Sequence, residues 1–293
     1  MKKNDPPRIL LLIDVYDWAF HTLARGIQKQ LEGTFSVDIS TRNENPHYSH
    51  YDLIHVFGFG PNNIDEKCLV LKGLYNTTRT MSHTTLNEFL EEALIGTNAL
   101  TVPIKSMYDE VRACGITMPI YFALEGVDTQ KFSLSQAPSG PLRVCWAGNT
   151  ARATKRLRMI QKACKDLCEL HIADGTLSED EMVEFYQSMD IVLCASEIGE
   201  GCPRSLIEAA SCGCFIVSFP VGVAPEVIQQ ETNGLLVKKE TVAELRTALT
   251  WCIEHKDTVR GTRQSNHEYM RTTRDWSHIA SQMSDIYQSM LPS

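Results

Sequence analysis

Hydrophobic positions in the second half of the chain fall in short continuous blocks separated by helical patterns. Residues 142–147, 170–173, 190–195, 214–219 and 234–237 are apolar runs bounded by polar or glycine-rich turns. Between them, residues 154–168, 178–189, 203–211 and 242–254 place apolar side chains at helical spacing. Apolar runs of this length read as strands buried on both faces, so their alternation with helices predicts a parallel sheet covered on both sides. The first half predicts strands at 8–13, 35–40, 51–57, 77–81, 99–103 and 116–123, with helices at 18–31, 86–94 and 106–114. Trp276, Ile279, Met283 and Ile286, spaced 3, 4 and 3, make the last segment an amphipathic helix. Residues 133–141, Ser-Leu-Ser-Gln-Ala-Pro-Ser-Gly-Pro, are poor in large apolar side chains and rich in breakers. They predict a linker, with one α/β domain over 1–134 and a second over 141–274.

Composition narrows the class without naming a function. A chain of 293 residues with 43% hydrophobic content has room for two ordinary cores. The net charge of −8 argues against gross nucleic-acid affinity, though not against a local basic groove. Lys155, Arg158, Lys162 and Lys165 fall on one stripe of the helix predicted at 154–168; a solvated face is the ordinary reading, and an anionic macromolecule such as DNA, or a lipid surface, is the alternative. The ten cysteines stand among apolar residues and read as reduced core thiols. With no Cys-x-x-Cys pair and no matching histidine spacing, no metal site is expected. Residues 1–7 are polar and no apolar run approaches the ~20 residues of a membrane span, so the expected location is cytoplasmic with no transmembrane segment.

The chemistry concentrates after two strands. The apolar run 191–195 enters a polar glycine loop, Ser196-Glu197-Ile198-Gly199-Glu200-Gly201-Cys202, and Pro203, Arg204 and Ser205 then open a helix carrying Glu208. Such a loop belongs at the carboxyl end of a parallel strand, where open α/β sheets bind ligands and a helix start can hold an anion. The loop after the run 142–147 carries Gly148 and Asn149, then Arg152 and Lys155 at a helix start. Cations there are disfavoured by the helix dipole unless an anion is bound.

The Glu200 to Glu208 spacing resembles the E-x7-E signature of retaining GT-B glycosyltransferases, in particular glycosyltransferase family 4. Leu124-Glu125-Gly126-Val127-Asp128 with Phe132 is similar to the family's N-G-V-D-x-x-x-F, and Gly222-Val223-Ala224-Pro225-Glu226 to its G-G-x-P-E. The chain departs from the pattern at Glu125, at Val223, at Arg156 where the family usually has glycine, and at the missing Gly-Gly after the first strand. The resemblance implies an α/β fold of two Rossmann-like domains facing a cleft (GT-B), the helix 275–293 crossing back to the first domain. It implies a nucleotide-diphosphate sugar as donor, with no obligatory metal and no other cofactor. Glu208 would bind the ribose, Glu200 the transferred sugar, and Arg152 and Lys155 the leaving diphosphate. Gly148, Asn149, Gly201, Cys202, Pro203, Arg204 and Ser205 would complete the donor site, His83 would lie near the donor sugar, and Asp14, Asp17 and Trp18 would face the acceptor. The implied activity is sugar transfer to a hydroxyl of a glycan, lipid, protein or small molecule. The alternatives are a hydroxylated base in DNA as acceptor, a nucleotide-sugar-binding protein without transferase activity, and an epimerase or hydrolase on the same fold.

Overall fold

The apolar runs become strands of two separate parallel sheets. A computed structural model of the chain describes residues 5–61, 64, 67–76, 85–197 and 199–292. It divides into two compact units, residues 1–126 with 276–293 and residues 127–275. In the first, β1 (Arg8–Ile13), β2 (Ser36–Thr41), β3 (Leu53–Phe57), β4 (Leu69–Gly73), β5 (Ala99–Val102) and β6 (Ile120–Phe122) lie in the order β2-β1-β3-β4-β5-β6. Helices α1 (Ala19–Leu31), α2 (Leu86–Ala93) and α3 (Lys105–Ala113) connect them. In the second, β7 (Val144–Ala147), β8 (Leu170–Ala173), β9 (Ile191–Cys194), β10 (Phe215–Ser218) and β11 (Gly234–Leu236) lie in the order β11-β10-β9-β7-β8. Its helices are α4 (Leu157–Cys164), α5 (Glu179–Gln187), α6 (Arg204–Ser211), α7 (Ala224–Val227), α8 (Val242–Glu254), α9 (Lys256–Gly261) and α10 (Arg263–Thr273). Helix α11 (Trp276–Met290) returns to the first unit and packs along α1. A Cβ at Gly26 or Gly126 would come within 2.4 Å and 2.7 Å of the Trp276 ring, so both glycines make room for that indole.

Both sheets reverse their strand order once, between β1 and β3 and between β7 and β9. At such a switch point the two following helices lie on opposite faces, and the strand ends leave a crevice that binds ligands. Strands β7 and β9 are in direct register, Val144 beside Ile191 and Cys145 beside Val192. The Gly148–Lys155 and Ser196–Pro203 loops therefore share one crevice edge.

Two expectations need correction, and one strand was not anticipated. The strand predicted at 77–81 lies outside the described residues; the unanticipated strand is β4, whose apolar run is interrupted by Lys72. That ammonium is fully buried and donates to the carbonyls of Ala93 (2.7 Å) and Ile95 (3.3 Å) at the end of α2. Next, the units part after Gly126, ahead of the predicted linker. Val127 N–H donates to Arg274 C=O at 2.9 Å, Thr129 Oγ1 to Asp275 at 2.6 Å, and Ser211 Oγ to Phe132 C=O at 2.6 Å, so residues 127–134 belong to the second core. Finally, 154–168 is not one helix. Residues Ala153–Lys155 form a single 3₁₀ turn, Arg156 turns left-handed at φ 49°, and α4 ends at Cys164. Lys155 thus lies outside α4, which carries Arg158 and Lys162 one turn apart and has Lys165 as its C-cap.

All ten cysteines are free and eight are buried. Burial pushes the thiols of Cys145 and Cys194 up and those of Cys214 and Cys252 to about 12, against an ordinary 9.0. A folded pKa above the unfolded one contributes stability that is complete below pH 9 and lost as pH rises toward 12. Lys72 acts in the opposite sense: burial lowers it to about 8, and its share returns between pH 8 and 10.5. Four thiols outweigh one ammonium, at about 1.4 kcal/mol per group per pH unit. The melting temperature is expected to fall between pH 8.5 and 10.5, and less steeply in Cys214→Ala/Cys252→Ala; a flat or rising profile would show that these thiols titrate alike folded and unfolded.

Candidate active site

The switch point of the second sheet brings the predicted donor residues together. After β7, Gly148 N–H donates to Ala173 C=O (3.0 Å), and Asn149 closes a turn, its Oδ1 accepting from Ala151 N–H (2.9 Å) and its carbonyl from Arg152 N–H (3.1 Å). The following 3₁₀ turn aims Lys155 across the crevice, where its ammonium pairs with Glu200 from the loop after β9. The two loops are also tied through their backbones, Glu197 N–H donating to Thr154 C=O at 3.0 Å. Arg152 is exposed one turn earlier.

Pro203 caps α6 with its fixed φ of −63°, and no side chain caps the first turn. The leading N–H groups and the positive end of the helix are thus presented at the crevice beside Gly201 and Cys202. One turn in, Arg204 Nη2 donates to Glu208 Oε1 at 2.9 Å. Lys155, Glu200, Arg204 and Glu208 are only 13–25% exposed, which separates them from ordinary surface ion pairs. The charges are felt by buried neighbours: after burial itself, Glu200 is the next cause raising Cys194, and Glu208 the next cause raising Tyr186.

The Gly222 motif packs against this loop from the end of β10. Gly222 has φ 55°, and a Cβ there would lie 2.4 Å from Gly201 O and 2.6 Å from Glu200 O. Only glycine fits. Val223, in contrast, is fully buried with helical backbone (φ −70°), so the absence of a second glycine costs nothing at that position. Glu226 is held by Arg274 at 3.5 Å and belongs to the packing around α10.

Reading by motif missed three residues here. Arg156 meets Glu240 from beyond β11 and Glu197 from the β9 loop, with Nε 3.6 Å from Glu197 Oε1. The pairs lie too far apart in sequence for a spacing rule to connect them.

The acceptor-side candidates gather at the end of β1, in the first unit. Asp14 Oδ1 accepts from Val15 N–H (2.8 Å), and Asp17, left-handed at φ 56°, donates its N–H to His21 Nδ1 (2.9 Å) with its carboxylate 93% exposed. Trp18 caps α1 with its ring outward. Glu44 orders the neighbouring loop, accepting from Thr41 N–H, Ser40 Oγ and Tyr16 OH at 2.7–2.8 Å, which holds its carboxyl at about 2. His83 lies outside the described residues. Among the described residues, no group of three or more His, Cys, Asp or Glu side chains is placed to hold a metal ion, and no helix is long and apolar enough to cross a membrane.

Two switch-point sheets with the terminal helix returned to the first define the GT-B class of glycosyltransferase folds. Residues 129–255 match the family described as Glycosyl transferases group 1. Sucrose-phosphate synthase from Thermosynechococcus elongatus superposes with a TM-score of 0.81 at 13% identity, over 96% of this chain and 98% of that one. Anabaena HepE, solved in complex with UDP, superposes with a TM-score of 0.75 at 13% identity, over 96% and 100%. An uncharacterized glycosyltransferase of Methanocaldococcus jannaschii, MJ1069, is 22% identical over 117 residues, a match that spans 40% of this chain and 30% of that relative.

Proposed function

We propose that the chain is a retaining glycosyltransferase that moves a sugar from a nucleoside diphosphate to a hydroxyl acceptor. The observation that carries this reading is the half-buried Lys155–Glu200 pair at the β7/β9 switch point, beside the start of α6. The diphosphate would lie across Arg152, Lys155 and the first N–H groups of α6, while Glu208 accepts the ribose hydroxyls and Glu200 those of the transferred sugar. The bond from the anomeric carbon to the β-phosphate oxygen breaks as the acceptor oxygen bonds on the same face. The acceptor proton passes to the departing phosphate oxygen. Charge growing on the diphosphate is met by Arg152, Lys155 and the helix dipole, so the reading invokes no divalent metal.

His83 joins the reading through the family resemblance, as do Asp14, Asp17 and Trp18 on the acceptor side. A nucleic-acid acceptor is disfavoured because the chain carries a net charge of −8 and Lys155 stands off α4, paired with Glu200, away from Arg158 and Lys162. HepE was also solved with UDP-glucose, so uridine donors are the first to try. Incubation with a panel of nucleotide sugars and hydroxyl acceptors is expected to give transfer with the anomeric configuration kept, read by NMR of the product. Binding without turnover for every pair would leave a binding protein, nucleotide release without acceptor would indicate hydrolysis, and an inverted product would refute retention.

A further inference from the structure

Arg156 holds a backbone conformation that L side chains rarely adopt, φ 49° and ψ 36°, as the junction between the 3₁₀ turn and α4. Such strain in a non-glycine residue persists where the surroundings over-determine it. Here they do. The guanidinium pairs through Nη1 with Glu240 and stands 3.6 Å from Glu197 through Nε, with its centre 5.9 Å from the Phe219 ring. Arg156 follows β7, Glu197 follows β9, Phe219 follows β10 and Glu240 follows β11, so one side chain joins the carboxyl ends of four of the five strands.

Two consequences bear on the donor site. Lys155 is the adjacent residue, and its direction toward Glu200 depends on the turn that Arg156 closes. Glu197 and Glu240 would otherwise add two uncompensated negative charges near a diphosphate, and the single charge of Arg156 halves that to a net −1.

Resting on the donor-site reading, we propose that Arg156 is a positioning residue: its guanidinium joins the four strand-end loops, aims Lys155, and offsets part of the carboxylate charge that would repel the nucleotide. Glycine adopts φ near +50° freely, so Arg156→Gly removes the side chain while relieving the backbone and separates the guanidinium from the fold. The test titrates UDP, GDP, ADP, CDP and TDP into wild type, Arg156→Gly, Arg156→Lys and Arg156→Gly/Glu240→Gln, with a thermal melt of each. The nucleotide that wild type prefers is expected to bind Arg156→Gly at least five-fold more weakly at an unchanged or higher melting temperature. Arg156→Lys and the double variant should each recover part of the loss. If wild type binds a nucleotide and Arg156→Gly binds it equally well, this role is overturned alone. A loss that tracks a lower melting temperature and is not recovered by lysine also overturns it, leaving a structural residue. If wild type binds none of the five, the donor-site reading falls and this role with it.

Discussion

Lys155→Met is expected to slow sugar transfer by about two to three orders of magnitude while changing nucleotide affinity less than ten-fold. Removing one preorganised group that meets charge only as it develops typically costs about 10²–10³ in rate. Lys155 is suited to that role because it is 17% exposed and pinned against Glu200, so it needs little reorganisation when the diphosphate departs. Single-turnover rates and dissociation constants, measured separately, distinguish transition-state from ground-state stabilisation. Equal losses in both would reduce Lys155 to a binding residue, and an unchanged rate would remove it from the site.

The largest effect on stability is expected at Asp190, where β9 begins. Its carboxylate is fully buried and accepts from Arg143 N–H at 2.9 Å and from Arg260 Nε and Nη2 at 3.0 Å each. The pairing raises the Arg260 pKa, chiefly through the hydrogen bonds to Asp190. Breaking such a pair from one side leaves a charge without its partner and costs about 3–5 kcal/mol, whereas replacing both sides with apolar groups is often neutral. Asp190→Ala should therefore lower the melting temperature by roughly 10 °C. Asp190→Leu/Arg260→Met should recover most of that loss. A double variant as unstable as the single one would show that the carboxylate serves the backbone of β7 and not the arginine.

The second unit was largely legible in the amino-acid sequence because its strands are apolar throughout and its turns carry glycine and proline. Strands β8 and β9 and helix α8 fall within about a residue of the reading from periodicity. Strand β4 was not legible, since its Lys72 is satisfied by two carbonyls that are distant in sequence and no local pattern announces that solution. The break before α4 was hidden for a related reason. Positive φ is commonly signalled by glycine, and here an arginine holds it through partners 41 and 84 residues away, so the helical pattern appeared to run on through 168. Glu200, Lys155, Arg204 and Glu208 were named from motif and spacing, and the structure adds that they pair two by two. The need for glycine at 222 became physical only with the Gly201 and Glu200 carbonyls pressed against it.

If Glu208 on α6 holds the ribose, calorimetric titration of nucleoside diphosphates into wild type and Glu208→Ala will register its loss. A charged acceptor to two ribose hydroxyls is worth about 1.5–3 kcal/mol per hydrogen bond before compensation. Wild type is expected to bind one nucleoside diphosphate, and Glu208→Ala, still folded, to bind it at least ten-fold more weakly. Equal affinity in the two proteins would contradict the assignment of the ribose to Glu208.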